Sequence, residues 1–394
     1  MNTPKVNKRI LALDILRGFT IAGMILVNNP GSWGHIYAPL RHAEWNGLTP
    51  TDLVFPFFMF IMGISTYISL KKYNFEFSQS AALKIVKRTI VIFLIGCAIG
   101  WFSRFCRYWV SAPEDLSFFE NLWASVWTFD RMRILGVMQR LALCYGAASI
   151  VALTVKHKRI PYIIATILIG YFVILTCGNG YEYNETNILS IVDRAILTPT
   201  HMYKDNGIDP EGLLSTLPSI AHVLLGFYVG KLMLDGNKSQ DRMSFLNSQI
   251  ITLFLVGTIL TFAGFLLSYG CPINKKIWSP TFVLTTCGLA SSFLALLIWI
   301  VDIKGKKKWS LFFEAFGVNP LFMYVLGGVL SILFGCIRFP WEDGMISIHT
   351  FLYKIVLMPI FGETGGSLAF ALLFVTINWC IGYQLYKRKI YIKI

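Results

Sequence analysis

Apolar stretches of about 20 residues, the length a helix needs to cross a hydrocarbon core, recur along this chain and leave little room for any other fold. They lie at roughly 10–29, 50–70, 82–103, 134–155, 160–177, 213–233, 247–268, 280–301, 310–335 and 366–386. Short basic clusters separate them: Lys71-Lys72, Lys156 to Arg159, Lys304 to Lys308 and Lys387 to Lys389. With the N-terminus inside, 22 Lys and Arg fall on inner segments or inner helix ends and 12 on outer ones, the asymmetry of a positive-inside arrangement. The reading is an all-α, polytopic membrane protein. About ten transmembrane helices form one domain over 1–394, with both termini cytoplasmic, as in a bacterial-type inner membrane. The run 346–361 is shorter, carries His349 and Lys354 and would break this parity, so it reads as an outer re-entrant or interfacial segment.

Composition closes off the alternatives. Only 14% of the 394 residues are charged, where soluble domains carry about 25%, and 55% are hydrophobic, far too many for a disordered chain. The net charge of +14 would suit a nucleic-acid binder, but it is spread in loop-sized clusters and not gathered on one face. Lys5, Lys8 and Arg9 precede an apolar stretch, yet Asp14 and Arg17 interrupt it, so the first helix reads as a retained span and not a signal peptide. The eight cysteines form no CxxC pair; Cys106, Cys177, Cys271 and Cys336 fall near outer ends, which leaves room for a disulfide there. The six histidines include no HExxH motif and no set at metal-ligand spacing, so no metal is expected.

Polar residues within or beside spans need a partner or a task, since each costs about 2.5–3.5 kcal/mol on insertion scales. Asp14 and Arg17 are neighbours on one helix face: either a self-neutralising pair or a contact for an anionic ligand. The same helix ends in Asn28-Asn29. The following loop holds His42 among Arg41, Glu44, Trp45 and Asn46, and then Thr49-Pro50-Thr51-Asp52. Thr49 suits an N-cap and Pro50 a first helical position, with Asp52 complementing the helix start; Asp52 orienting His42 is the competing role. Arg133, Gln139 and Arg140 open the fourth span, where a spacing of seven puts the two arginines on one helix face. They suit headgroups or a substrate equally well. Asp209-Pro210-Glu211-Gly212 reads as a helix start, with Glu211 either complementing the dipole or contacting a sugar. Asn319-Pro320 lies inside the ninth span and reads as a kink or as carbonyls facing a ligand channel.

ALDILRGFTIAGMILVNN followed by RHAEWNGLTPTDLVFPFFMFIMG strongly resembles the heparan-alpha-glucosaminide N-acetyltransferase family of transmembrane acyltransferases. The likeness continues through DRMRILGVMQRL, DPEGLLSTLPSI, PINKKIWS, VDIKGKKKW, GVNPLFMY and YKRKIYIKI, so it covers nearly the whole chain in order. Lysosomal members carry a lumenal N-terminal region and an extra first span; this chain reads as a shorter homologue without them. The resemblance implies a helical bundle, typically a homodimer in its membrane lipid. Such an enzyme moves acetyl from cytosolic acetyl-CoA to the amine of a terminal glucosamine on the far side. It also makes His42 the catalytic residue and matches Asn28 to the asparagine of the family's first core span. Asp52 and Asp14 become supporting residues. Arg17, Arg140, Gln139 and Asn319 become candidates for contact with acetyl-CoA, and Trp45, Asn46, Glu211 and Arg133 for contact with the amino sugar. His42 would act as general base or as a transient acetyl carrier, with the Asn28 amide on the thioester oxygen. Two other readings stay open: acyl transfer to an envelope glycan or cell-wall fragment, and transport of sugars or acyl carriers. A transporter would favour paired broken helices, and Asn319-Pro320 marks only one such break.

Overall fold

Helix after helix starts where the sequence supplies a cap. Ser78 accepts from Ala81 N at 3.2 Å, Asn187 from Leu189 N at 2.9 Å, and Ser279, ahead of Pro280, from Phe282 N at 3.3 Å. The computed structural model describes residues 10–113, 115–203, 205–235, 242–342 and 344–392; Lys5, Lys8, Arg9 and Lys393 lie outside them. In chain order the helices are α1 (Leu11–Asn28), α2 (Val54–Lys71), α3 (Gln79–Ser111), α4 (Phe118–Val126), α5 (Val137–Thr154), α6 (Ile160–Cys177) and α7 (Ile188–Leu197). There follow α8 (Thr216–Asp235), α9 (Arg242–Leu267), α10 (Pro280–Ile298), α11 (Leu311–Val318) and α12 (Pro320–Cys336). A two-stranded antiparallel hairpin, β1 (Arg338–Trp341) with β2 (Gly344–Ser347), leads to α13 (Ile348–Thr350), a π-helical stretch and α14 (Met358–Lys387).

Among the described residues eight helices can cross a membrane by length and composition, or nine if α11 and α12, which meet at 78°, count as one broken span. The all-α multi-pass architecture is the one the sequence implies; the tally falls short of ten at α3. Lys84, Lys87 and Arg88 near its start and Arg104 and Arg107 near its end leave only 89–103 free of charge. The run 346–361 is strand, then helix, and is set off from the last span at Gly362, whose φ of 73° breaks α14. It folds back on the end of α1: His349 Nε2 lies 3.3 Å from Pro30 O.

Two helix starts differ from expectation. Arg133 is not on the α5 face with Arg140, because the helix begins only after Gly136, which is fully extended; Ile134 N instead donates to His201 O at 3.0 Å. No helix begins at Pro210. Asp209 Oδ1 accepts from Glu211 N at 3.0 Å and Gly212 N donates to Asp209 O at 2.9 Å, a local turn that displaces the helix start to Thr216.

Small residues let the helices approach closely, as lipid-embedded packing requires. A Cβ on Gly18 would run into the Phe313 carbonyl, and one on Gly317 into that of Asp14, so α1 and α11 touch backbone to backbone. Gly63 and Gly226 do the same for α2 and α8. The rim of α9 is apolar and exposed at Ile251, Phe254, Leu255, Ile259, Phe262 and Leu266, a surface that only a lipid environment tolerates over such a length. The chain is an integral, multi-pass membrane protein. All eight cysteines are free.

The ends of the bundle are chemically different. One gathers the connections 29–53, 127–136, 178–215 and 268–279, tied to one another by side chains. The other carries the lysine-rich turns, with Lys71 paired to Asp235 at 3.0 Å and Tyr386 donating to Glu314 Oε2 at 3.0 Å.

Candidate active site

Asp52 is 1% exposed, and its two carboxylate oxygens divide two tasks that the sequence had set against each other. Oδ2 accepts from Ala43 N at 3.1 Å, Thr49 N at 3.1 Å and Thr49 Oγ1 at 2.9 Å, which locks the turn before α2. Oδ1 is left to face His42 Nδ1 at 2.6 Å. With the carboxylate ionised, Nδ1 carries a proton toward Oδ1, and in the neutral ring the lone pair therefore falls on Nε2. The imidazole is 41% exposed, so Nε2 is open to a ligand while its far side is gripped by a buried anion. That is the geometry of an oriented base.

Lys275, from the turn between α9 and α10, completes the group: its Nζ lies 3.1 Å from His42 Nδ1 and 3.4 Å from Asp52 Oδ1. Burial pulls its pKa below the ordinary lysine value, against the Asp52 and Glu211 carboxylates, which hold it up. Sequence reasoning gave this residue no role. The available signal was a Lys275-Lys276 pair on the side otherwise poor in basic residues.

The surrounding loops are fastened to one another. Trp45 donates its indole N–H to Tyr181 O at 2.8 Å and stacks on Tyr183 at 4.5 Å between ring centroids. Asn46 Oδ1 accepts from Asn274 Nδ2 at 3.1 Å, and Gly47 N donates to Ile273 O at 2.8 Å. Lys276 donates to the Tyr183 hydroxyl at 2.7 Å and pairs with Asp205 at 2.9 Å. Trp45 and Asn46 thus frame the site, with the Trp45 indole N–H and the Asn46 amide oxygen engaged in loop-to-loop bonds. Tyr183 and Asp205 join them without any spacing in the sequence that would announce it.

A second charged group adjoins. Arg133 Nε reaches Asp209 Oδ2 at 3.2 Å and its Nη2 reaches Glu211 Oε2 at 2.5 Å. For Glu211, burial alone would raise the carboxyl, but Arg133 and Arg140 outweigh it and hold its pKa below the usual range. Arg140 is 1% exposed, donates to Gly212 O at 3.1 Å and to Ser215 Oγ, and sits 5.2 Å from the Trp278 ring centroid. Asp193 of α7, fully buried, receives Leu213 N at 2.9 Å and Leu214 N at 3.2 Å. Burial, with the nearby Asp209 charge, pushes its pKa up to about 6 against those two N–H groups and Arg140.

The other candidates belong to α1, α5 and the bend between α11 and α12. Asn28 is the last residue of α1 and exposed; its neighbour Asn29 donates to Ile25 O at 2.7 Å. Gln139 is buried against α3, its Nε2 3.7 Å from Cys97 Sγ. Arg17 and Asp14 pair at 2.9 Å, and Arg17 also donates to Ser65 Oγ at 2.9 Å. Asn319, at the bend between α11 and α12, clasps the C-terminal tail: it donates to Ile390 O and accepts from Ile392 N, each at 2.8 Å. A cavity of about 330 Å³ opens here, lined by Asp14, Glu314, Tyr386, Lys387, Lys389 and Tyr391 among others. The structure therefore gathers His42, Asp52, Trp45, Asn46, Arg133, Glu211 and Arg140 at one end, and Arg17, Asp14 and Asn319 at the other. Among the described residues, no three His, Cys, Asp or Glu side chains come together as a metal site.

Residues 9–269 match the family described as heparan-alpha-glucosaminide N-acetyltransferase, catalytic. The chain is 26% identical to the heparan-alpha-glucosaminide N-acetyltransferase of Homo sapiens over 446 aligned positions, covering 98% of this chain and 60% of the relative. The Mus musculus protein of the same name gives the same identity and the same coverage. This chain thus spans about 60% of the length of those relatives. His42, Asp52 and the Arg133 group all fall within the matched region, while Lys275 lies just beyond it. With two thirds of its length matched, and the oriented histidine inside the match, the chain belongs to the heparan-alpha-glucosaminide N-acetyltransferase catalytic family.

Proposed function

We propose that the protein is a membrane-embedded acetyltransferase that takes acetyl from acetyl-CoA at the basic end of the bundle. It delivers the acetyl group to the amine of a glucosamine-type sugar at the His42 end. The observation that carries this reading is His42 itself, gripped through Nδ1 by the buried Asp52 carboxylate at 2.6 Å with Nε2 left open. Family membership narrows the chemistry to acetyl transfer.

Acetyl-CoA is polyanionic at its nucleotide end, which favours the end with Lys387, Lys389 and the lysine-rich turns. The cavity there supports a donor site because it pairs cations with the aromatic rings of Tyr386 and Tyr391. Its two acids are already engaged, Asp14 by Arg17 and Glu314 by Ser310 and Tyr386. From Arg17 to Asn28 the α1 axis runs about 16 Å at ~1.5 Å per residue, a distance left to the extended pantetheine arm. In the transfer, the amine nitrogen forms a bond to the acetyl carbon and the carbon–sulfur bond breaks. His42 Nε2 takes the amine proton and returns it to the departing thiolate. The Asn28 amide supplies a donor for the thioester oxygen as charge builds. In a two-step variant, Nε2 itself carries the acetyl group between donor and acceptor.

The test is purified protein with labelled acetyl-CoA and a panel of amino sugars, beside His42→Ala. Label on a sugar amine, lost by about 10²–10⁴-fold in the variant, supports the reading. Label on a hydroxyl would redirect it to O-acylation, and no transfer to any acceptor would overturn it.

A further inference from the structure

The group around His42 contains one more charge than an oriented base requires. Lys275 Nζ is 3.1 Å from Nδ1, the same atom that faces Asp52 Oδ1 at 2.6 Å. Both contacts cannot be hydrogen bonds to Nδ1 at once. If Lys275 donated to a bare Nδ1, that lone pair would face the carboxylate oxygen at 2.6 Å, lone pair against anion. With the proton on Nδ1, the imidazole donates to Asp52. Lys275 then turns its own N–H to the same Oδ1, 3.4 Å away, and its cation stands against the ring edge.

Its placement is built. Asn274 Oδ1 accepts from Ile277 N at 3.1 Å, Ser279 N donates to Asn274 O at 3.0 Å, and Asn274 Nδ2 holds Asn46. Lys276 is drawn off to Tyr183 and Asp205, so only Lys275 of the pair is aimed at the histidine. The charged groups facing it are Asp52, from the start of α2, and Glu211, from the turn before α8. In the His42 loop, Arg41 is turned back onto Ile36 O at 2.8 Å and Glu44 is exposed.

We infer that Lys275 is a positioning residue of the His42 site: its ammonium keeps the Nδ1 proton directed at Asp52 and disfavours a second proton on Nε2, so that Nε2 stays available as a base. After Nε2 has taken a proton, the same cation favours its release. The catalytic meaning of the inference rests on the acetyl-transfer reading; the protonation claim does not.

The readout is therefore one that needs no substrate. Diethyl pyrocarbonate modifies only unprotonated imidazole, so its reaction at His42, followed by peptide mass spectrometry between about pH 5 and 8, reports the state of that ring. Full-length protein is compared with Lys275→Gln, Lys275→Met and Lys275→Arg, each checked for folding by thermal unfolding in detergent. A unit charge about 3 Å away, in a site buried on its Asp52 side, moves the midpoint by at least about 1 pH unit. Both neutral variants should shift upward by that amount and Lys275→Arg should track the wild type. A midpoint that stays put or falls in a folded neutral variant overturns the inference, as does an Arg variant that shifts with the neutral ones. If the wild type transfers acetyl, the acid limb of turnover in the neutral variants should move in parallel. A shifted midpoint in a protein that transfers no acetyl leaves the inference standing and removes the functional reading.

Discussion

Replacing Asp52 by Asn tests the oriented-base argument more sharply than removing the histidine, because the shape of the side chain survives. Three donors, Ala43 N, Thr49 N and Thr49 Oγ1, converge on Oδ2. The Asn carbonyl must take that position, which sends its NH₂ group to where Oδ1 faced His42 Nδ1 at 2.6 Å. An NH₂ there donates to Nδ1 and drives the imidazole proton to Nε2, the atom that has to accept. The turn before α2 keeps its hydrogen bonds, so the fold should persist, with a loss of about 1.5–3 kcal/mol from hydrogen bonds that no longer involve a charge. Turnover should fall by about 10²–10⁴-fold, a barrier increase of about 3–5 kcal/mol. The assay is labelled acetyl transfer at saturating acetyl-CoA, paired with thermal unfolding in the same detergent. A folded Asp52→Asn protein retaining more than about a tenth of wild-type turnover would refute the reasoning, since a wrong-tautomer histidine cannot sustain it.

Arg17→Ala should weaken CoA binding more than acceptor binding; equal CoA affinity in a folded variant, measured by titration calorimetry, would leave Arg17 as a tie between Asp14 and Ser65. Cysteines placed at 42 and at 306 should label from opposite faces of the membrane, and labelling of both from one face would overturn the topology. Asp193, whose pKa is raised to about 6, favours the folded state when protonated. Its contribution is complete below about pH 4 and is lost as pH rises through 6, on the order of 2–3 kcal/mol. Asp193→Asn should flatten the melting temperature between pH 4 and 7, and a wild type that grows more stable over that interval because of this residue would reverse the sign.

Much of the architecture was legible because lipid punishes polarity: apolar runs, basic turns and cap residues located most helices to within a few residues. α3 covers the expected run 82–103, though charges at both ends shorten its apolar part, and the start of α8 differs where Asp209 spends its side chain on its own backbone. His42 and Asp52 were readable together because they sit ten residues apart in one loop. Lys275, Tyr183 and Asp205 were not, since they meet that loop across more than a hundred residues of chain. Nor could the sequence show that Asp52 caps a helix and grips a histidine at once, because that division depends on which oxygen faces which donor. Asn319-Pro320 was readable as a break in the helix, but not the clasp of the Asn319 amide on the tail, whose partners lie about seventy residues on.

The backbone contact of α1 with α11 makes the first helix a lever. Gly18 and Gly317 fix where it is pinned, and Asn28 rides at its tip, about 15 Å further along at ~1.5 Å per residue. A methyl group at either pin must tilt or lift the whole arm, because the atoms in the way are carbonyls that cannot swing aside. An inactive Gly18→Ala or Gly317→Ala protein would thus carry an intact set of site residues held at the wrong height. Screening that scores only loss of turnover would count such remote hinges among the reacting groups. On the proposed function, separating the two requires asking whether the donor still binds at one end while transfer at the other has stopped.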